Sequence, residues 1–271
     1  MKKILLSIMT IALVSAVAVG ATRAFFSDTE TSVDNTFIAG EIDLQIDNTS
    51  YYNLVQQALS YDGDPLTWTL SDLTNQVFFD FDDVKPGDLA EDTVSVHVDD
   101  NDSWVCANVA LTGDADNGIN EPESAAGDAT DGPAAGELDQ EVAYIFWGDD
   151  GDNVLEDDET VFEDGALPDF SGAGLTYAIA DSATNNLYGG VDGDPVPGAT
   201  TVYLGKGWCY GSLTPAPVAA GINDPTVNPG FTCDGALVSN VSQTDSAVAD
   251  VTFYAVQSRN NASFLCSSWT P

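Results

Sequence analysis

Two segments of this chain alternate apolar and polar residues without a break, Glu41-Ile-Asp-Leu-Gln-Ile-Asp47 and Asp92-Thr-Val-Ser-Val-His-Val-Asp99. A period of two puts every second side chain on the same face of an extended chain, so each segment predicts a strand buried on one face only. Further apolar or β-branched runs lie at Gln76–Phe81, Trp104–Leu111, Val142–Trp147, Thr200–Leu204 and Asp250–Gln257, bounded by Gly, Asp, Asn or Pro. Asn53–Ser60 is the best candidate for a short helix. The expectation is all-β: a single antiparallel β-sandwich over residues 37–271 with long acidic loop insertions, which needs no second domain. Asp114–Asp139, in an acidic insertion near 112–140, is rich in Gly, Ala, Asp and Pro and has little to bury.

Charge removes several classes of function. The chain carries 44 Asp and Glu against 6 Lys and Arg, a formal charge of −38. Nucleic-acid binding needs cationic side chains to neutralise phosphates, so no nucleic-acid partner is expected. The same field repels anionic lipid and attracts cations. Disorder is excluded by 44% hydrophobic residues, enough to build a sizeable core.

Met1-Lys-Lys, the uncharged run Ile4–Gly20 and Ala21-Thr-Arg-Ala24 read as a signal peptide over residues 1–24, cut between Ala24 and Phe25. The run is shorter than the roughly 20 residues of a membrane helix. After cleavage no stable span is expected, and Lys85, Lys206 and Arg259 are the remaining basic side chains. Ser267–Pro271 offers neither an apolar tail nor a basic stop, so no anchor is expected there. The protein is expected to be secreted, in an extracellular matrix or at the cell surface. Four cysteines in an exported chain imply two disulfides, with three connectivities open. Cys209–Cys233 encloses the most loop-like stretch and is favoured, leaving Cys106–Cys266. No Cys-x-x-Cys spacing supports zinc.

Asp83-Val-Lys-Pro-Gly-Asp88 predicts a tight turn joining Val77–Phe81 to Thr93–Val98. Two loops share one pattern: Asp114, Asp116, Asn120 and Glu123 in the first, Asp150, Asp152, Glu156 and Glu159 in the second. Alternate acids on a turning backbone converge oxygens on one point, and a later Glu closes the cage, so calcium is the candidate ion. The third acid and the glycine of a full calcium loop are missing. The Asn-x-Ser/Thr sites at Asn48, Asn101, Asn240 and Asn261 are chance occurrences on this reading. Trp68, Trp104, Trp147, Trp208 and Trp269 are expected to fill the core rather than form a carbohydrate platform.

Thr22–Leu44 resembles the start of the TasA/camelysin family: Phe26, Asp28, Thr36, Phe37, Ala39, Gly40, Asp43 and Leu44 match its Phe-x-Asp and Thr-Phe-x-Ala-Gly-x-x-Asp-Leu pattern. Val84-Lys-Pro-Gly-Asp88 is similar to the family's Leu-Lys-Pro-Gly-Asp turn, while the acidic middle and the cysteines depart from it. The resemblance implies a jelly-roll-like sandwich cut by a SipW-type signal peptidase and assembled into extracellular fibres of a biofilm matrix or surface coat. It further implies that the mature N-terminus, residues 25–36, adds as a strand to the next subunit. Phe25, Phe26 and Val33 would fill pockets there, and the partners would be further copies or related fibre subunits. The other place for this segment is its own domain.

Catalysis is the rival class, because the resemblance includes a metallopeptidase description. His97 is the only histidine, no His-Glu-x-x-His or Gly-x-Ser-x-Gly occurs, and no catalytic residue is assigned. The expectation is a secreted structural protein, subunit or minor component of extracellular fibres, stabilised by calcium. A monomeric calcium-dependent adhesin or binding module is the alternative, and a camelysin-type metallopeptidase the third reading.

Overall fold

The alternation at Asp92–Asp99 becomes the body of β4 (Leu89–Val98), with Val94, Val96 and Val98 turned into the core. A computed structural model describes residues 42–74 and 76–271. The chain divides into Met1–Ala39 and Gly40–Pro271. The signal peptide 1–24, its Ala24/Phe25 cleavage point and the donor segment 25–36 with Phe25, Phe26 and Val33 lie outside the described residues.

β1 (Leu44–Tyr52) pairs antiparallel with β4 from Leu44↔Val98 to Tyr52↔Ala90. It is displaced toward the C-terminus from the expected Glu41–Asp47, because the ladder continues through Tyr52. The helix expected over Asn53–Ser60 does not form. Asn53 and Leu54 have φ of 47° and 65°, and β2 (Val55–Gln57) returns along β1 as a two-residue hairpin. Asn53 holds that turn to the start of β4: its Nδ2 donates to Asp88 at 2.8 Å and its Oδ1 accepts from Leu89 N at 3.1 Å.

β3 (Trp68–Ser71) also pairs with β1, and β9 (Thr200–Tyr210) lies on the other side of β4. β6 (Val142–Asp149) and β7 (Val161–Ala166) complete this sheet, whose order is β2-β1-β4-β9-β6-β7. The second sheet is β12 (Ser246–Gln257), β5 (Ser103–Ala115) and β8 (Leu175–Ala180), in that order. From β4 to β12 the long strands pass back and forth between the two sheets, and every ladder is antiparallel. This is the expected all-β, jelly-roll-like sandwich. A small hairpin, β10 (Ser212–Pro215) with β11 (Phe231–Asp234), stands apart.

The main core joins Ile46, Val94, Val96 and Val98 of the large sheet to Val105, Ala107 and Ile179 of the small one. A second cluster lies on the outer face of the large sheet, where Ile145 and Trp147 meet Leu155 and Phe231. The acidic loop after β6 is therefore anchored through Leu155 to a packed surface.

Gln76–Phe81 is not a strand. β1 and β9 already occupy both edges of β4, leaving no ladder for it, yet Phe78 is buried in the core. The Pro86-Gly87 turn is present, with Gly87 at φ +94° and Asp88 N donating to Lys85 O at 2.8 Å. It leads from an irregular segment into β4 instead of joining two strands. The insertion holds two short helices, α1 (Glu121–Ala126) and α2 (Leu138–Glu141), and buries Leu138. The disulfides are Cys106–Cys266 and Cys209–Cys233, the pairing favoured on the sequence.

Candidate functional site

Two groups of carboxylates come together at opposite ends of the acidic middle. In the first, Asn120 caps α1 by accepting from Glu123 N at 3.1 Å, and Glu123 Oε2 returns to Asn120 N at 2.5 Å. That box holds Glu123, which is fully buried, beside Asp116 and Asp245, with one ligand oxygen of each within 4.8 Å of the others. Asp116 is 3% exposed; its Oδ1 accepts from Gly118 N at 2.8 Å, while its Oδ2 is buried without a donor among the described residues. Asp245 Oδ2 accepts from Glu137 N at 2.6 Å and Leu138 N at 3.2 Å, and its Oδ1 is likewise unmatched. Asp114, Asp128, Glu137 and Asp139 each bury a further carboxylate oxygen with no donor among the described residues. Burial raises Asp114, Glu137, Asp139 and Asp245 above the usual carboxylate range.

In the second group Asp149, at the end of β6, accepts from Trp147 Nε1 at 3.0 Å and Gly151 N at 2.5 Å. Glu159 accepts from Asp150 N at 2.8 Å and Glu156 N at 3.0 Å, which folds the loop back on itself. Ligand oxygens of Asp149, Asp150 and Glu159 again lie within 4.8 Å of one another. Burial pushes Asp149 up to about 7 and Glu159 up to about 8.

Of the eight residues singled out on the sequence, Asp116 and Glu123 meet in one group and Asp150 and Glu159 in the other. Asn120 is a helix cap, and Asp114 lies on the margin of the first group. Asp152 and Glu156 turn instead to the loop at 221–223: Asp152 accepts from Asn223 N at 3.3 Å, and Glu156 from Gly221 N at 2.9 Å and from the Asn223 amide. Asp245 and Asp149 were missed. Asp149 stands next to Asp150 and was hidden by its place in a strand, whereas no local signal marks Asp245, which arrives from a distant part of the chain.

All six side chains in the two groups are carboxylates, the donor set that suits a hard cation such as calcium, which completes its shell with carbonyls or water. The side chains of Lys85 and Lys206 are taken by Asp83 and Asp92, and Arg259 follows the far end of β12 from Asp245. A catalytic zinc fits poorly. His97 is the chain's one histidine, its Nε2 lies 2.8 Å from Asp99 and its Nδ1 3.0 Å from Thr201 Oγ1, and it belongs to neither group. All four cysteines are in disulfides. Asn48, in one of the Asn-x-Ser/Thr sites, is wholly buried with Nδ2 donating to Leu66 O at 2.7 Å, so no glycan fits there.

A third feature is the edge formed by β12. Among the described residues it pairs with β5 alone, leaving its other side open over 12 residues. In a chain with 44 acids that edge carries a single charge, Asp250. Exposed edges are normally guarded by charge or by brevity, and this one is long with Asp250 as its one charged residue. Beside it a mainly apolar cleft of about 260 Å³ opens between Leu44, Ile46, Asp72 and Leu73 on one side and Val251, Thr252 and Phe253 on the other.

These features define a disulfide-bonded antiparallel sandwich with an open edge and carboxylate groups suited to a metal ion. Residues 1–128 match the family described as Camelysin metallo-endopeptidase, in agreement with the TasA/camelysin resemblance of Thr22–Leu44 and Val84–Asp88. No curated protein matches the chain. Two disulfides point to an oxidising compartment, and among the described residues no helix is long and apolar enough to cross a membrane.

Proposed function

We propose that the protein is a structural subunit of extracellular fibres, secreted after cleavage between Ala24 and Phe25 and joined to further copies by strand addition along β12. The observation that carries this reading is the long, nearly uncharged open edge of β12 with the apolar cleft beside it. Residues 25–36 contain no Pro or Gly and begin with Phe25 and Phe26, so they can form a main-chain ladder and place aromatic rings in such a cleft. Calcium at Asp116, Glu123 and Asp245 and at Asp149, Asp150 and Glu159 would neutralise the acids that hold the insertion and the loop after β6. The role is structural and not catalytic on this reading, despite the family's description, because the ligand sets lack histidine.

Electron microscopy and sizing of chains beginning at Phe25 and at Phe37, each with calcium and with chelator, test it. Filaments from the longer chain that are absent from the shorter one support strand addition. Monomers from both chains under all conditions would replace it with the adhesin reading. Protein hydrolysis that is abolished by chelator and by His97→Ala would replace it with a peptidase.

A further inference from the structure

A chain with three basic side chains beyond residue 24 places one of them inside its sandwich. Lys206, on β9, has a side chain 14% exposed, with Nζ 2.8 Å from Asp92 Oδ2 and donating to Phe78 O at 3.2 Å. The rings of Phe78 and Phe79 lie 5.6 and 5.5 Å from that nitrogen. Asp92 is fully buried, and its other oxygen, Oδ1, faces Asn48 Nδ2 at 3.3 Å. Asn48 is fully buried too, and its Oδ1 has no donor among the described residues. Lysine is seldom buried, and a buried ion pair is a weak stabiliser because desolvating both charges offsets most of their attraction. The arrangement therefore asks for a chemical use.

We propose that Lys206 and Asn48 form an intramolecular amide cross-link, with Asp92 as the proton carrier between them. Adjacent strands hold the three groups in order: Asn48 on β1, Asp92 on β4 and Lys206 on β9, all turned to the inner face. Asp92 Oδ2 takes a proton from Lys206 Nζ, and the freed amine attacks Cγ of Asn48. The new Nζ–Cγ bond forms as the Cγ–Nδ2 bond breaks. With its carboxyl turned, Asp92 gives that proton to Nδ2, which leaves as ammonia, and it then takes the second proton that Nζ sheds on becoming an amide nitrogen, so the step ends with amide, ammonia and a protonated Asp92 and balances without an oxidant or co-reactant. Holding amine, amide and acid together in a dry site supplies the proximity that a free lysine and asparagine lack.

The bond would tie β1 to β9 across β4. On the fibre reading above, on which this consequence but not the bond itself rests, tension enters through the N-terminal segment just ahead of β1. It would pass through the cross-link to β9, which Cys209 joins to Cys233.

Intact mass of the purified full-length chain, reduced and unfolded, is the test. The expected mass is one ammonia below that of the sequence as isolated, and digestion should yield a branched peptide joining the segments that contain Asn48 and Lys206. Lys206→Arg, which keeps the charge but not the nucleophile, and Asp92→Ala should both restore the unmodified mass. An unmodified wild-type mass overturns the proposal. So does loss of one water, which would place the bond on Asp92, or loss of ammonia confined to an unbranched peptide. The mass is read on monomers, so failure to form filaments leaves it standing, and filaments with an unmodified mass sink only the cross-link.

Discussion

Glu91 shows how far a single residue can depart from the rule that buried acids are paired. It is 1% exposed on the outer face of β4, and among the described residues neither of its oxygens has a donor. Burial, reinforced by Asp92 and Asp149, lifts its carboxyl well above the usual range. A carboxyl raised in the folded state binds its proton more tightly there than in the unfolded chain. Its contribution is full below the ordinary carboxylate value and declines as pH rises through that value toward the folded one. Glu91→Gln should therefore raise the melting temperature at pH 8 and change it little at pH 4, as read by calorimetry across that range. Gly205 is the steric counterpart: a Cβ there would run into the Trp147 ring. Gly205→Ala should lower the unfolding free energy by about 3 kcal/mol in urea titration, because the buried indole has nowhere to move. The glycine is plain in the sequence, but the ring that demands it belongs to another strand.

At the scale of elements the two disulfides do unequal work. Cys106–Cys266 spans 160 residues and Cys209–Cys233 only 24. Loop-closure entropy assigns them about 5 and about 3.5 kcal/mol, so replacing the first pair by serine should cost more in thermal melts than replacing the second. The first pair also fixes β5, the partner that leaves β12 with one open side. Val248, 53% exposed on β12, is the point at which to test that edge. If the chain assembles as proposed, Val248→Lys should leave the melting temperature nearly unchanged and abolish filaments, because a charge on an edge blocks strand addition without entering the core. Element type was legible where the period was two, as in β4, and where apolar runs were bounded by turn residues, as in β5 and β6. It was misread at Asn53–Ser60, where two positive-φ residues turn the chain, and at Gln76–Phe81, where a strand-like sequence finds no vacant edge. The small helix α1 was announced by Asn120 and Glu123 at capping spacing, and this signal was absorbed into a calcium-loop reading.

The molecule as a whole repels itself, at a formal charge of −38. Screening shortens the range of that repulsion from about 10 Å at 0.1 M salt to about 3 Å at 1 M. The melting temperature should climb steeply between those salt concentrations. Millimolar calcium should produce much of the same rise at low salt if the two carboxylate groups bind it, and Asp245→Asn together with Asp149→Asn should remove the calcium-specific part. A rise identical for calcium and for sodium at matched ionic strength would assign the acids to solvation alone.

The sequence by itself determined what depends on neighbours along the chain: the all-β class from the two-residue period, the strongly acidic character from the charge, and the existence of disulfides from four cysteines in a chain read as exported. Tertiary structure decided what depends on residues far apart. It brought Asp245 to Asp116 and Glu123, set Lys206 against Asp92 and Asn48, and, among the described residues, left β12 with one side unpaired. Each of these follows from which strands become neighbours, and strand order is set by packing two sheets around one core, a property that no short stretch of sequence contains.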